Sequence, residues 1–147
     1  MTHFDANTII SKLEDKGIRP SIQRVKVLEY LHYHVMDHPT AEVIFTALSP
    51  EMPTLSRATV YNTLHSFYRA GLVNCLSIDG LESHYDINLE PHGHFRCHEC
   101  GRITNFKIST DGLNETGLEH FQVEHQNVIF TGICPDCQNK IQKGELE

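Results

Sequence analysis

The sequence predicts an α+β chain in two parts: an N-terminal winged helix-turn-helix domain and a smaller C-terminal α+β domain built around a four-cysteine zinc site. Three observations predict this. Apolar residues recur at helical spacing through the first half, short alternating runs surround an Asp-Gly turn in the middle, and two C-x-x-C pairs bracket the last part. A chain of 147 residues is too short for a large catalytic barrel or doubly wound core. Split in two, it buries little apolar surface per half, so metal or a partner subunit is expected to make up the shortfall.

Ile9, Ile10 and Leu13 start the helical pattern, which Lys16-Gly17 closes. Pro20-Ser21 opens a second helix carrying Val25, Val27, Leu28 and Leu31. A third carries Ala41, Ile44, Phe45 and Leu48, with Thr40 as its N-cap and Ser49-Pro50 as its stop. Ser56 caps a fourth helix that runs to Gly71, where a residue free to adopt positive φ ends it. Val60, Leu64 and Phe67 lie at i, i+4 and i+7 and form its buried stripe. Leu72–Ile78 and Ser83–Ile87 then read as a hairpin about Asp79-Gly80, which completes the wing. Residues 1–84 form this domain, 85–91 a hinge, and 92–147 the second domain. In the second domain, strands are expected at Phe95–Cys97, Arg102–Phe106 and Val128–Gly132, and a helix from about Leu113 to Val123.

Cys97-His98-Glu99-Cys100 and Cys134-Pro135-Asp136-Cys137 are separated by 33 residues. A two-residue gap lets both sulfurs of a pair converge on one ion, and two pairs complete tetrahedral coordination of Zn²⁺. Gly101 and Pro135 suit the tight turns required. Without metal, the same residues read as two thiol pairs; a thioredoxin-like motif would need a βαβ setting and only one pair. Cys75 stands apart as a packed residue of the wing.

Two further patterns carry chemistry. His92-Gly93-His94 puts two imidazoles on one side of a strand, with Asp86 six residues upstream and His38 in the helical half. Nitrogen and carboxylate donors without sulfur suit Fe²⁺, Mn²⁺ or Zn²⁺. An ion held between the domains would fix their angle and act as a switch. His3, His32, His34, His65, His84 and His120 read as ordinary surface histidines. The fourth helix presents Arg57, Thr59, Asn62, Thr63, Ser66 and Arg69 opposite its buried stripe, side chains able to read base edges or bind phosphates in a major groove. Arg19, Arg24 and Lys26 can add backbone contacts. The net charge of −7 excludes a uniformly basic nucleic-acid coat. The acidity is concentrated distally, with seven basic against nine acidic residues in 1–84 and five against ten in 85–147. No run approaches the roughly 18 apolar residues of a membrane span, and the N-terminus lacks a secretory pattern, so a cytoplasmic protein is expected.

Arg57–Leu64, His92–Gly101 and the second cysteine pair together resemble the ferric uptake regulator (Fur) superfamily, over a span from about Gly17 to Cys137. Asn62 after Tyr61, and Asp86 where iron-uptake regulators usually have Glu, make the sequence most similar to the peroxide-responsive repressor branch. The resemblance implies a homodimeric, metal-dependent repressor of operator DNA, not an enzyme, with the distal domain dimerising. It implies structural zinc at Cys97, Cys100, Cys134 and Cys137, and regulatory Fe²⁺ or Mn²⁺ at His38, Asp86, His92 and His94. It also implies DNA contacts from Arg57, Thr59, Tyr61, Asn62 and Thr63. Asn105 stands where the pattern has a fifth ligand, Asp, and an uncharged amide there weakens the site. A further site of iron-uptake regulators would need ligands at Pro91, Gly93 and Asn105, which leaves His125 alone and that site absent.

The expected mechanism is sensing without turnover. Peroxide reacts at Fe²⁺, His38 or His92 is oxidised, the metal is lost and the repressor leaves its operator. Three other readings stay open. A reversible iron- or manganese-responsive repressor of metal uptake would be insensitive to low peroxide. A metalloenzyme would turn over substrate at the histidine cluster without binding DNA. A zinc-ribbon interaction protein would ignore a second metal.

Overall fold

The computed structural model describes residues 5–77, 82–87, 92–108, 117–123 and 126–144. The chain divides into two compact units, Met1–Leu89 and Glu90–Glu147.

The first unit opens with four helices: α1 Ala6–Asp15, α2 Ile22–Tyr33, α3 Ala41–Leu48 and α4 Arg57–Arg69. Each begins where a short polar side chain accepts a hydrogen bond from the first turn. Asp5 accepts from the Thr8 amide at 2.8 Å, Ser21 from Arg24 at 3.2 Å, Thr40 from Val43 at 3.2 Å and Ser56 from Thr59 at 3.1 Å. Such caps satisfy amides that have no partner inside the helix. Gly71, at φ 78°, turns the chain out of α4. The buried faces meet in one core: Ile9 and Leu13 of α1, Val27, Leu28 and Leu31 of α2, Ile44 of α3, and Val60, Leu64 and Phe67 of α4. The wing is a two-stranded ladder of β1 Asn74–Leu76 and β2 His84–Asp86, antiparallel, with Cys75 opposite Tyr85. Among the described residues this ladder stops at Leu76 and His84, and the expected Asp79-Gly80 turn lies outside them, as do the linker residues 88–91.

The second unit is a three-stranded sheet of β3 His92–Cys97, β4 Ile103–Lys107 and β5 Ile129–Gly132, in the order β4-β3-β5. β4 runs antiparallel to β3 and β5 parallel to it. The helix expected from about Leu113 to Val123 is not formed over residues 117–123, which are turn and coil; 113–116 lie outside the described residues. Gly117 at φ 103° and His120 at φ 73° are in left-handed conformations that no α-helix continues through. A helix that the sequence reading missed, α5 Pro135–Gln142, follows β5. Pro135 occupies its first turn, where a missing N–H costs nothing, and Asp136 beside it favours the positive end of the helix dipole. The C-P-D-C run is therefore a knuckle and a helix start at once. Buried cysteines 97, 134 and 137, packed by Phe95 and Ile133, make this unit's core. Among the described residues no helix is long and apolar enough to cross a membrane.

Candidate metal centres and nucleic-acid surface

Cys97 ends β3, Cys100 lies in the turn after it, Cys134 is the N-cap of α5 and Cys137 is in its first turn. The turn closes through the Gly101 amide donating to the Cys97 carbonyl at 2.8 Å, with Gly101 at φ 76°, a conformation that side chains disfavour. The four sulfurs lie within 4.8 Å of one another. The Cys100 and Cys134 sulfurs are 3.9 Å apart, and a tetrahedron with Zn–S bonds of about 2.3 Å has edges of about 3.8 Å. The donors therefore fit zinc in type, number and spacing. Backbone amides of Cys100 and Cys134 hold the Cys97 thiol down at about 6, and the Cys134 N–H donates to its sulfur at 3.4 Å. Burial pushes Cys137 up to about 12. Such amide donors favour the thiolate, the form that binds metal.

The remaining sequence-predicted ligands fall into one pair in each unit. In the first unit, His38 and Asp86 are both buried, with Nε2 of one 3.8 Å from Oδ2 of the other. His38 sits at φ 48° ahead of Pro39. A non-glycine residue there is strained by about 1–3 kcal/mol, and proline disfavours the left-handed region for its predecessor. In the second unit, His92 and His94 project from the same side of β3, their Nε2 atoms 3.1 Å apart and their rings edge-on at 4.5 Å. Two nitrogens each about 2.1 Å from one ion, at a right angle, would be about 3.0 Å apart, so this pair has the spacing of adjacent ligands. Asn105 is the direct cross-strand partner of His94, which puts its amide on the same face of the sheet. Gly93 between the histidines is required by space: a Cβ there would meet the Phe106 ring at 2.2 Å. Phe106 stacks in turn on Phe130 of β5, centroids 4.9 Å apart.

On α4, Tyr61 and Asn62 are exposed, as are Ser66 and Arg69. One expectation needs correction. Thr63, placed by spacing on the outward face, is 5% exposed. It faces the start of α2 and helps line a polar cleft of about 370 Å³ with Ser21, Gln23, Arg24, Thr59, Asn62 and Ser66. The helical wheel cannot see that a second helix end covers that side. Arg57 lies on the exposed side of α4 as expected, and there it pairs with Glu42 of α3: its Nε and Nη2 donate to the carboxylate at 3.0–3.2 Å, and the guanidinium lies 4.5 Å over the Phe45 ring.

Two histidines assigned to the surface are not simply exposed. His32 is half-buried, 3.3 Å from Lys12 Nζ, and burial together with that cation holds it down at about 4. His84 in β2 donates from Nδ1 to the His38 carbonyl at 2.6 Å. His65 and His120 are exposed, and His34 pairs with Asp37 at 2.7 Å. His3 and His125 lie outside the described residues. The sequence reading gave no role to Glu42, placed Phe106 only in a strand, and took His84 for a surface histidine.

Comparison with known proteins places these features. Residues 15–131 match the model of the ferric uptake regulator family. The chain is 37% identical over 134 residues to the peroxide-responsive repressor PerR of Staphylococcus aureus, covering 89% of this chain and 90% of that one. Among solved structures, it is similar to PerR from Streptococcus pyogenes, described as a structural basis for peroxide sensing and gene regulation, at 31% identity and TM-score 0.51, over 94% of this chain and 99% of that one. The ferric uptake regulator from Francisella tularensis with iron matches at 27% identity and TM-score 0.68, over 83% and 96% of the two chains. With a family match across most of its length and a four-cysteine cluster that fits zinc, the chain belongs to the ferric uptake regulator family of transcription regulators.

Proposed function

We propose that this chain is a metal-dependent repressor that binds operator DNA as a dimer and senses peroxide through oxidation of its own metal-ligating histidines. The observation that carries the reading is the separation of two kinds of donor: four sulfurs that fit zinc, and two sulfur-free pairs, His38 with Asp86 in the first unit and His92 with His94 in the second. The similarity to PerR over 89% of the chain supports it. Sulfur ligands suit a permanent structural ion, whereas imidazole and carboxylate suit an exchangeable Fe²⁺ or Mn²⁺. Iron bound there would supply one-electron reduction of peroxide and hence a hydroxyl-type oxidant.

His38 and His92 are the proposed targets; a ring that has gained an oxygen atom is a changed donor, and the ligand set loses a member. Donors from both units drawn to one ion would select one arrangement of the chain from its ensemble. Tyr61, Asn62 and the cleft between α2 and α4 would face DNA, with β5, an edge strand among the described residues and carrying exposed Phe130, available for pairing with a second copy.

The test is peptide mass spectrometry of protein loaded with Fe²⁺ or Mn²⁺ and given a little peroxide, with operator binding measured on the same samples. One added oxygen on His38 or His92 in the iron form alone, with DNA binding lost, is the expected result. Unmodified histidines and unchanged binding in both forms would favour a reversible metal-uptake repressor. Asn105, uncharged beside His94, is the observation that favours this second reading.

A further inference from the structure

We propose that His84 is a positioning residue for the His38–Asp86 pair, holding the His38 backbone in its left-handed conformation by a hydrogen bond from Nδ1. The inference rests on the reading of His38 and Asp86 as metal ligands. His38 has two reasons to leave φ 48°: it is not glycine, and Pro39 follows it. What opposes this comes from β2. The His84 Nδ1–H donates to the His38 carbonyl at 2.6 Å, the Tyr85 N–H donates to the Pro39 carbonyl at 2.9 Å, and Thr40 bridges to His84 in an isolated antiparallel contact. Asp86 is two residues beyond His84, so both side chains leave the same face of the strand. A three-residue strand thus carries one proposed ligand and the donor that fixes the backbone of the other.

This arrangement makes a specific demand on residue 84: an N–H at the position of the imidazole Nδ1. Asparagine places its amide nitrogen there. Glutamine places it one bond further out, where the imidazole has Nε2. Leucine offers none. The experiment is a titration of the full-length, zinc-loaded protein with Mn²⁺, followed by calorimetry, for His84→Asn, His84→Gln and His84→Leu, with zinc content and helical circular dichroism measured on each.

The expected outcome is near wild-type Mn²⁺ affinity for H84N and a loss of about 10–100-fold for H84Q and H84L, the usual size of an effect that acts through a ligand's support. Zinc content should not change. Should H84L fail to fold, the Asn and Gln pair still decides the matter. Equal affinity in H84N and H84Q, whether retained or lost, would overturn the positioning role. His38→Ala separates the two levels: if it binds Mn²⁺ as tightly as the wild type, the ligand reading itself fails. If it loses Mn²⁺ while H84Q keeps it, only the role of His84 falls.

Discussion

The two units hold themselves together by different means. The first buries complete apolar faces of four capped helices against one another, with Ile9, Leu13, Leu64 and Phe67 fully inaccessible. Among its described residues the second has three small strands, one helix and a hydrophobic cluster whose buried members are three cysteines. Apolar burial at about 25 cal/mol per Å² can stabilise the first kind of unit; it cannot be the main support of the second. Four sulfurs spaced for a tetrahedral ion are the substitute, and structural zinc in small domains contributes about 10–16 kcal/mol. The lesson is that the two halves should fail under different insults.

The largest expected effect follows directly. Stripping zinc with a strong chelator, or Cys137→Ser, should abolish the sheet signals of the second unit while the four helices of the first persist. Amide NMR spectra of the whole chain before and after chelation would check it. Loss of dispersion in both units together would break the comparison.

The reverse test is Phe67→Ala. It removes a fully buried ring from the first core and should cost about 3–5 kcal/mol, measured by urea unfolding followed at the helical circular dichroism band. Zinc should stay bound through that transition, because no cysteine of the cluster belongs to that core.

This contrast also explains what could be read from sequence. The first unit was legible because its information is local: Ser21, Thr40 and Ser56 stand at the helix starts, and the 3.6-residue spacing of Val60, Leu64 and Phe67 names the buried face. The cysteine quartet was legible because ligand spacing is nearly as local. What escaped depends on neighbours distant in sequence. Thr63 is covered by the start of α2, Arg57 is captured by Glu42, and His84 reaches a carbonyl 46 residues away. In the second unit the helix expected near Val123 fails and α5 was missed, for one reason: a chain tied by metal need not show apolar periodicity. Leu118, Phe121 and Val123 mimic a helical stripe yet are exposed, while α5 carries one buried residue, Cys137.

Gly93→Ala sharpens the comparison within the second unit. A methyl group would overlap the Phe106 ring, and overpacking of this kind costs about 1–3 kcal/mol. Because the strain falls between His92 and His94, Mn²⁺ affinity should drop while zinc is retained. Adding Phe106→Leu should recover part of both losses. Unchanged Mn²⁺ affinity in Gly93→Ala, measured by calorimetry, would show that the histidine spacing does not depend on this contact.

The smallest effect concerns acid. In the second unit protons compete with zinc for the thiolates, so acid acts through the metal. In the first unit the sensitive group is His32, whose value is lowered from 6.5 to about 4 by burial and by Lys12. The sign is fixed by linkage. As pH falls from 6.5 towards 4 the unfolded chain takes up a proton that the folded one refuses, so stability declines across that window and levels off below it. His32 is only half-buried, and solvent screening should keep the loss to about 1 kcal/mol or less. His32→Gln removes the titration but keeps a polar partner for Lys12. Its helical unfolding midpoint in urea should therefore vary less between pH 6.5 and 4 than that of the wild type, while zinc release over the same range is unchanged. An identical slope in both proteins would assign the acid sensitivity of the helical unit to other groups; a change in zinc release would mean that the two units are coupled after all.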